Sequence, residues 1–378
     1  MKKYLCLFIT CCIIFLGCTN SSKDVELDET VAIIETTSIE TYKWKSEKEV
    51  ICYLSDNNGS ILFSDGSVYS FSDITDKQTV LYNNISLVLI PIKPFLIITY
   101  DDTPASDYDI YKIHKLYEPI VPAEIGIIVG GHALSNEKMV EMVNDGNWEV
   151  VHHSYSHSRL ERVQLQKKHL SGTDKIYGWF VHTFINGVEI TIGDDTYKVV
   201  SHGTDGDGKY ITVTPSLMRD YPITTVLKLS DRQLERELFE GVEEFEKETG
   251  INIKHFTYPY TVFDSRTVDL LKTKYISSRA YNGTLSNKKN LTNPGMNYFP
   301  FDNKYSLNSA DFIIDYTEEE ILSVLAKAKE SKAVLMQFSH TWDTNFSKTK
   351  LVFLIDNAKK AGFQITTRSK LWEYYEFL

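Results

Sequence analysis

From about residue 94 onward, short apolar runs typical of β-strands take turns with segments whose apolar residues recur at helical spacing. Phe95–Tyr100 is a short β-favouring run that is apolar on both faces, as in a buried parallel strand. Two more such runs follow at Glu124–Val129 and Trp148–Val151. Between the three runs, Asp107–Tyr117 and the segment that begins after Ser135 carry apolar residues at helical spacing. The order strand, helix, strand, helix, strand predicts parallel βα units and an α/β fold.

The same alternation resumes farther along the chain and continues to its end. The predicted later elements are an amphipathic helix over Asp231–Glu248, strands at Ile253–Phe256, Tyr275–Tyr281 and Val334–Ser339, a helix over Thr349–Ala361 and a strand at Phe363–Thr366. We therefore expect residues 94–378 to form one α/β domain with an interruption.

The interruption is residues 161–228, where the helical period is missing and β-like runs dominate. Asn186-Gly187 lies between the runs Tyr177–Ile185 and Val188–Ile192, which predicts a hairpin. The segment 205–208, Asp-Gly-Asp-Gly, lacks the spaced ligands of a calcium loop and is expected to be a plain turn. The aromatic residues of the insertion form either a sugar-stacking surface or its own core, and we favour the core; they are Trp179, Phe180 and Tyr210.

Residues 44–93 show short β-like runs without helical spacing. Turn signals at 57–59 and 65–66 separate the first three runs. The runs are Glu49–Leu54, Ser60–Phe63, Ser67–Phe71 and Thr79–Ile90. This pattern predicts a small all-β region before the α/β domain.

The N-terminus has the pattern of a bacterial lipoprotein signal. Two lysines precede the apolar run Tyr4–Leu16, which is too short to span a bilayer. The run ends at Phe15-Leu16-Gly17-Cys18, which looks like a lipobox, so we expect residues 1–17 to be removed and Cys18 to carry lipid. An ordinary cleaved signal is the alternative. Residues 18–43 are rich in Ser, Thr, Asp and Glu and are expected to be a flexible tether. The expected location is the cell envelope, anchored to a bacterial membrane and facing away from the cytoplasm.

Charge excludes one class of partner. The chain has 51 Asp and Glu against 40 Lys and Arg, a formal net charge of −11. Nucleic-acid-binding proteins usually carry a basic surface, so a nucleic-acid partner is not expected. No feature points to a protein partner.

Titratable side chains follow two of the predicted strands where each one ends. Asp101-Asp102 comes directly after the first strand, and the third ends in a segment that contains His153 and His157. Alone, the acid pair would be solvated loop residues or a helix cap. Two histidines four residues apart lie on one side of a helical turn or a tight loop. One aspartate and two histidines are the mixed O and N ligands of an open catalytic site for a divalent metal.

These segments resemble the polysaccharide deacetylases with the NodB homology fold, a family of metal-dependent carbohydrate esterases. Thr99-Tyr100-Asp101-Asp102 is similar to the family's first motif, and His153-Ser154-Tyr155-Ser156-His157 to its second. The resemblance implies a distorted (β/α) barrel over residues 94–378. It also implies that Asp102, His153 and His157 bind one divalent ion, usually zinc, with cobalt or nickel as alternatives, and that Asp101 is the general base.

The third motif of the family is matched in part by Thr257-Tyr258-Pro259-Tyr260. The resemblance implies that the backbone N–H of Tyr260 helps to hold the oxyanion. Thr257 stands where the family has an Arg that pairs with the base. Arg279 resembles an Arg of family members with Tyr-Pro-Tyr here and is a candidate substitute; the alternative is an ordinary surface arginine on a strand.

The last motif is a strand that ends in a histidine, here Val334–Ser339 followed by His340. The resemblance implies that His340 is the general acid that protonates the leaving amine. The acid that orients this histidine in the family is not identified by its surroundings here, and Asp302, Asp311 and Asp315 all remain candidates.

We therefore expect an enzyme: a metal-dependent hydrolase that removes acetyl groups from an N-acetylated polysaccharide, such as a glycan containing N-acetylglucosamine or peptidoglycan. Two alternatives remain. One is an O-acetyl glycan esterase that uses the same groups. The other is a non-catalytic glycan-binding surface lipoprotein, which the missing arginine at position 257 and the long insertion would suit.

Overall fold

A computed structural model describes residues 32–33, 41–46, 49–63, 67–281 and 292–375. The predicted signal segment and Cys18 lie outside these residues, as does most of the predicted tether. The chain divides into two compact units, Met1–Pro91 and Ile92–Leu378. Among the described residues, no helix has the length and apolar character needed to cross a membrane.

The first unit has seven strands in its described part. They are β1 (Ala32–Ile33), β2 (Thr41–Ser46), β3 (Glu49–Leu54), β4 (Gly59–Phe63), β5 (Val68–Phe71), β6 (Gln78–Tyr82) and β7 (Ile85–Pro91). They form a three-stranded sheet in the order β1-β4-β5 and a four-stranded sheet in the order β2-β3-β7-β6. Leu54, Ile61, Leu87 and Leu89 are fully buried and belong to a core of this unit. Strand β1 and the start of β2 fall within the segment predicted to be a tether.

The second unit contains the predicted alternation of strands and helices. Its strands are β8 (Phe95–Asp101), β9 (Glu124–Ile127), β10 (Glu149–His152), β11 (Val163–Gln164), β12 (Lys175–Tyr177), β13 (Glu189–Ile192), β14 (Asp195–Asp205), β15 (Gly208–Thr214), β16 (Val226–Leu229), β17 (His255–Thr257), β18 (Ser277–Arg279), β19 (Met296–Asn297), β20 (Val334–Ser339) and β21 (Gln364–Thr366). Its helices are Asp107–His114, Asn136–Gly146, Asp231–Phe239, Val242–Thr249, Ser265–Leu271, Phe312–Asp315, Glu318–Glu330, Lys348–Ala361 and Arg368–Tyr375.

One curled sheet organises this unit. Its strand order is β18-β17-β10-β9-β8-β20-β19, and β21 pairs with the first half of β8. All of these pairings are parallel except that of β19 with β20. Strand β8 is buried at every position, as its apolar run predicts. The α/β class is confirmed.

A short segment links the two ends of the curl. Residues 307–310 hydrogen-bond to β18 through Leu307, whose N–H donates to the Ser278 carbonyl at 3.0 Å. They also bond to β20 through Ala310, whose N–H donates to the Met336 carbonyl at 3.0 Å. The carboxyl ends of β8, β10, β18 and β20 therefore surround one space, because parallel strands of a curled sheet all end on the same rim.

The helix predicted over Asp231–Glu248 is two helices, and the prediction of one is wrong. The break lies at Gly241, which has φ +76°. A Cβ at this position would lie 2.8 Å from Val129 Cγ1, so glycine also allows the close approach of this turn.

The insertion forms its own six-stranded sheet, in the order β11-β16-β13-β14-β15-β12. The hairpin predicted at Asn186-Gly187 is wrong. Strand β13 pairs antiparallel with β14, which follows it, and the turn lies at residues 193–194. The segment before Asn186 is a 3₁₀ turn over Val181–Thr183 and not a strand. The prediction of a plain turn at 205–208 is confirmed, because Asp205 pairs with Gly208 where β14 turns into β15.

Candidate metal centre

The acid pair lies at the carboxyl end of β8, where the chain turns sharply. Asp102 has φ +76° and Thr103 has φ +47°. The Thr103 carbonyl accepts hydrogen bonds from the N–H groups of Ala133 (3.2 Å) and Leu134 (3.1 Å), which holds the turn in place. Asp101 is buried at 3% exposure, whereas Asp102 is partly exposed. The turn therefore separates two adjacent carboxylates into two environments.

The two histidines lie on a tight loop after β10. The N–H of His157 donates to Ser154 Oγ at 2.8 Å, which closes the loop. Glu237, fully buried on a neighbouring helix, accepts from the Ser156 N–H at 2.8 Å and from Ser156 Oγ at 2.7 Å. Its carbonyl accepts from the N–H of Tyr155 at 2.9 Å. Glu237 thus fixes the part of the loop that separates the two histidines.

Backbone strain is concentrated at this rim. Six of the eleven non-glycine residues with positive φ in the described ranges belong to it: Asp102, Thr103, Ser154, His157, Tyr260 and Thr261. Each such conformation costs on the order of 1–3 kcal/mol and persists only where the surroundings impose it. The concentration of these residues in one place indicates a functional site.

Three ligand atoms converge here. Asp102 Oδ1 lies 3.4 Å from His153 Nε2 and 3.3 Å from His157 Nε2, and all three atoms are within 4.8 Å of one another. Donors held at about 2.0–2.1 Å from a tetrahedral ion are about 3.3–3.4 Å apart. Nδ1 of His153 contacts the Thr257 carbonyl at 2.9 Å, which leaves Nε2 as the nitrogen for a metal. The residues fit one divalent cation with room for further ligands.

The protonation preferences of the three groups reflect their proximity. Burial raises the pKa of Asp102, but the imidazoles of His153 and His157 lower it more, so its pKa lies well below the usual range. Burial lowers the pKa of His153, and the carboxylates of Asp101 and Asp102 outweigh that effect and raise it. Burial and the neighbouring His153 lower the pKa of His157 to about 4. The carboxylate and the His157 imidazole are therefore both in the deprotonated form that binds a metal at neutral pH.

The second carboxylate of the pair has a different partner. Arg279 Nη2 lies 2.6 Å from both Asp101 oxygens, and Nη1 donates to Ser309 Oγ at 3.1 Å. Arg279 is 1% exposed, so it is not the surface arginine of the alternative interpretation. Burial raises the pKa of Asp101, but the charges of Arg279 and His153 more than offset this, and the net pKa is lowered. Asp101 is thus a carboxylate at neutral pH.

Position 257, where the resembled family has arginine, is filled in another way. Thr257 is 1% exposed, and its hydroxyl accepts from Arg368 Nη2 at 3.3 Å. Arg368 is fully buried and pairs with Glu124, with Nε to Oε2 at 3.0 Å. A guanidinium therefore already lies beside Thr257, so an arginine side chain at position 257 would share this buried space with a second positive charge.

Tyr260 contacts the metal-site loop with its ring. The Tyr260 and His157 ring centroids are 4.6 Å apart. Its backbone is left-handed, with φ 53° and ψ 10°. The next two N–H groups are used by the turn, from Thr261 to the Tyr258 carbonyl and from Val262 to the Pro259 carbonyl. Among the hydrogen bonds of the described residues, none uses the Tyr260 N–H.

His340 follows β20 and reaches the same rim. Its Nε2 lies 3.7 Å from Asp102 Oδ2, and the side chain is 27% exposed. Of the three aspartates considered for orienting it, Asp311 is buried and accepts from Ser339 Oγ at 2.6 Å. The structure thus brings together all seven residues singled out in the sequence: Asp101, Asp102, His153, His157, Tyr260, Arg279 and His340.

Two residues of the site were missed. Trp342, 58% exposed, donates from Nε1 to Asp102 Oδ2 at 2.9 Å. Glu237 holds the histidine loop from 81 residues away. Trp342 lies two positions after His340, so its closeness to a candidate catalytic residue was a usable signal. No signal in the sequence pointed to Glu237, because its contact with the histidine loop is visible only in three dimensions.

Comparison with known proteins gives structural neighbours only. The sequence matches no protein-family model and shows no match to a curated protein. Solved structures similar to the chain include the chitin deacetylase of Colletotrichum lindemuthianum (15% identity, 75% of this chain and 87% of that chain, TM-score 0.40). A second is a family 4 acetyl xylan esterase from Clostridium thermocellum in complex with cobalt (13% identity, 74% of this chain and 90% of that chain, TM-score 0.39). A third is a CE4 family pseudoenzyme from Bacillus anthracis (13% identity, 75% of this chain and 66% of that chain, TM-score 0.41). The neighbours belong to the deacetylase family that the sequence motifs resemble.

Proposed function

We propose that this chain is a metal-dependent hydrolase that removes acetyl groups from an N-acetylated glycan. The observation that carries the proposal is the pair of adjacent carboxylates with separate partners. Asp102 lies 3.4 and 3.3 Å from two imidazole nitrogens. Asp101 instead pairs with the guanidinium of Arg279 at 2.6 Å. Enzymes that hydrolyse with the help of a metal and a general base need a set of metal ligands and, beside it, an ionised carboxylate that does not bind the metal.

The ion would be held by Asp102, His153 and His157; a divalent ion such as zinc, or cobalt or nickel, lowers the pKa of a water molecule and polarises a carbonyl. Asp101 accepts the proton that the attacking water gives up. Arg279 keeps this carboxylate ionised and fixes its position. The water oxygen forms a bond to the acetamide carbon, which becomes tetrahedral, and this carbon leaves as acetate when the C–N bond breaks.

Two further groups complete the reaction. The Tyr260 N–H donates a hydrogen bond to the oxygen on which negative charge develops. His340 gives a proton to the nitrogen as the C–N bond breaks, so the leaving group departs as an amine. The His340 side chain is 27% exposed, so a substrate can reach it from solvent.

The position of Arg279 also bears on the alternative of a non-catalytic binder. That alternative rested on the missing arginine at position 257. A guanidinium from β18 pairs with Asp101 instead, so the base keeps a cationic partner from a different strand. This contact favours turnover over binding alone.

The test is acetate release by purified protein supplied with zinc, cobalt or nickel, on a panel of N-acetylated and O-acetylated glycans. Asp101→Asn and His157→Ala should each reduce the rate by about 10²-fold or more. Asp109→Asn, at a side chain 60% exposed, and His202→Ala, in the insertion, are matched controls that should keep full activity. No acetate from any glycan, or equal rates for Asp101→Asn and the unmodified protein, would refute the proposal. Acetate without an equal amount of new amine would identify an O-acetyl esterase.

We further propose that the mature protein is anchored to a bacterial membrane by lipid on Cys18, on the side away from the cytoplasm. The support is the sequence Phe15-Leu16-Gly17-Cys18 after an apolar run. The unmodified protein should incorporate labelled palmitate and sediment with membranes, whereas Cys18→Ala should do neither. Label and sedimentation that are unchanged in Cys18→Ala would contradict this.

A further inference from the structure

A cleft of about 550 Å³ lies in the insertion, apart from the candidate metal centre. This volume is within the range of small-ligand sites. The cleft lies between the segment after β11, the segment at the end of β12 and after it, and the β14–β15 turn. Its lining residues are Gln166, Lys167, Tyr177, Gly178, Trp179, His182, Asp207, Gly208 and Lys209.

Trp179 is the aromatic side chain that remains open in this cleft. It is 54% exposed, whereas Phe180 is 7% exposed. Lys167 Nζ lies 3.5 Å from the centroid of the Tyr177 ring, and Lys175 Nζ lies 4.2 Å from that of Tyr210. The aromatic residues of the insertion thus divide: Phe180 belongs to the core, two tyrosine rings are covered by lysines, and the indole of Trp179 faces solvent.

The main chain that carries the indole is held in place before any ligand binds. The backbone N–H of Trp179 donates to Gln166 Oε1 at 2.9 Å, and the backbone N–H of Gly178 donates to the Lys209 carbonyl at 3.1 Å. The Trp179 ring meets Phe180 edge to face, with 5.1 Å between centroids. A ring with a fixed main chain and a packing contact to Phe180 loses less conformational entropy than a free side chain when a ligand stacks on it.

The polar groups around the indole suit a ligand with many hydroxyl groups. Lys167 Nζ and Asp207 Oδ2 are 3.5 Å apart, so the charges of this pair largely offset each other, and Lys209 adds a further donor to the lining. Gln166 uses its oxygen for Trp179, and its NH₂ group remains a donor on the cleft wall. A sugar ring has an apolar C–H face, which can stack on an indole, and hydroxyl groups at its edge, which need donors and acceptors of this kind.

The cleft is connected to the metal-site loop through the backbone. Trp179 lies two residues before the 3₁₀ turn Val181–Thr183. The carbonyl of Thr183 accepts from the Arg159 N–H at 2.9 Å, and Arg159 is two residues after His157. The Arg159 guanidinium also lies over the Phe180 ring, 5.4 Å from its centroid. The segment that carries Trp179 is therefore hydrogen-bonded to the residues that directly follow His157.

We propose that this cleft is a glycan subsite in which Trp179 stacks on a sugar residue of the polymer some way from the residue that is deacetylated. The proposal rests on the proposed function for its polymeric substrate, and it makes the substrate class a glycan chain and not a single acetylated sugar. Stacking on Trp179 contributes binding, and the cleft takes no part in bond cleavage.

Binding to metal-free protein tests the subsite independently of turnover. We would titrate chelator-treated, full-length folded protein with N-acetylchitotetraose, cellotetraose and xylotetraose by calorimetry. Trp179→Ala should weaken binding of the tetrasaccharide that binds best by about tenfold or more. Trp179→Leu keeps apolar bulk against Phe180 without a flat ring and should show the same loss, which guards against misfolding of the alanine variant. Trp179→Phe should restore part of the affinity. Met218→Ala, at an exposed residue of the same insertion, should bind as the unmodified protein does.

The outcomes separate the two proposals. No binding of any tetrasaccharide, or equal Kd values for Trp179→Leu and the unmodified protein, would overturn the subsite even if acetate release were observed. A loss of affinity in Trp179→Leu, in a protein that releases no acetate, would leave the subsite standing and refute the hydrolase.

Discussion

Arg279 Nη2 lies 2.6 Å from both carboxylate oxygens of Asp101, although 178 residues separate the two in sequence. Both side chains are almost completely buried. A buried carboxylate without its cationic partner costs about 3–5 kcal/mol. The pair therefore joins two strands of the curled sheet, β8 and β18, and makes the position and charge of Asp101 depend on β18.

Arg279→Gln should lower the free energy of unfolding by about 3–5 kcal/mol, because it leaves Asp101 charged and buried. The double variant Asp101→Asn with Arg279→Gln should lose less than the sum of the two single changes. Urea unfolding at neutral pH measures this. Arg162→Gln, which removes a half-exposed ion pair with Asp264, should cost less than about 1 kcal/mol. Additive losses in the double variant would contradict the interpretation of a coupled pair.

Glu237→Gln should weaken zinc binding by about 10- to 100-fold, because the amide cannot accept both Ser156 hydrogen bonds that hold the loop between the two histidines. Glu235→Gln is the matched control, since Glu235 lies on the same helix and is exposed. Competition titration with a chromogenic chelator gives both affinities. Equal zinc affinities in the two variants would show that Glu237 does not position the loop.

Thr257→Arg restores the residue of the resembled family but should not restore a family-like site. The new guanidinium would be buried beside Arg368, whose Nη2 already donates to Thr257. Overpacking and like charge should lower stability by several kcal/mol. Thr257→Val, which removes one weak hydrogen bond, should cost about 1 kcal/mol. Thermal unfolding of both variants checks this, and a Thr257→Arg protein as stable as Thr257→Val would refute it.

Asp311 should make the protein less stable as pH rises. Burial raises its pKa from 3.8 to about 7. Between these two values the unfolded chain is ionised and the folded chain is protonated, so stability falls as pH increases through this window. A shift of about three units corresponds to about 4 kcal/mol. Asp311→Asn keeps the shape and removes the titration, so its stability relative to the unmodified protein should be greater at pH 8 than at pH 4. Parallel urea titrations at the two pH values measure this, and a constant difference would contradict it.

The elements that the sequence predicted correctly rest on local patterns. The run Phe95–Tyr100 is buried on both faces, and its pattern requires no knowledge of distant partners. The same is true of His153 and His157, whose spacing of four places both rings on one loop. Their ring centroids are 4.8 Å apart.

The features that the sequence did not predict depend on distant contacts. Asn186-Gly187 has the composition of a hairpin turn, but a 3₁₀ turn precedes it, and β13 finds its antiparallel partner in β14. The helix break at Gly241 reflects the close approach of Val129, more than 100 residues earlier. The partnership of Thr257 with Arg368 is likewise visible only when the last helix packs against the sheet.

The central claim is that Asp102, His153 and His157 hold the metal on which acetate release depends. The most direct test is to titrate zinc into chelator-treated protein while acetate release from an N-acetylated glycan is followed. Activity should be absent without metal, rise with added zinc and level off at one ion per chain, and His153→Ala and His157→Ala should remain inactive throughout. Full activity of the metal-free protein, or activity of both histidine variants equal to that of the unmodified chain, would contradict the claim.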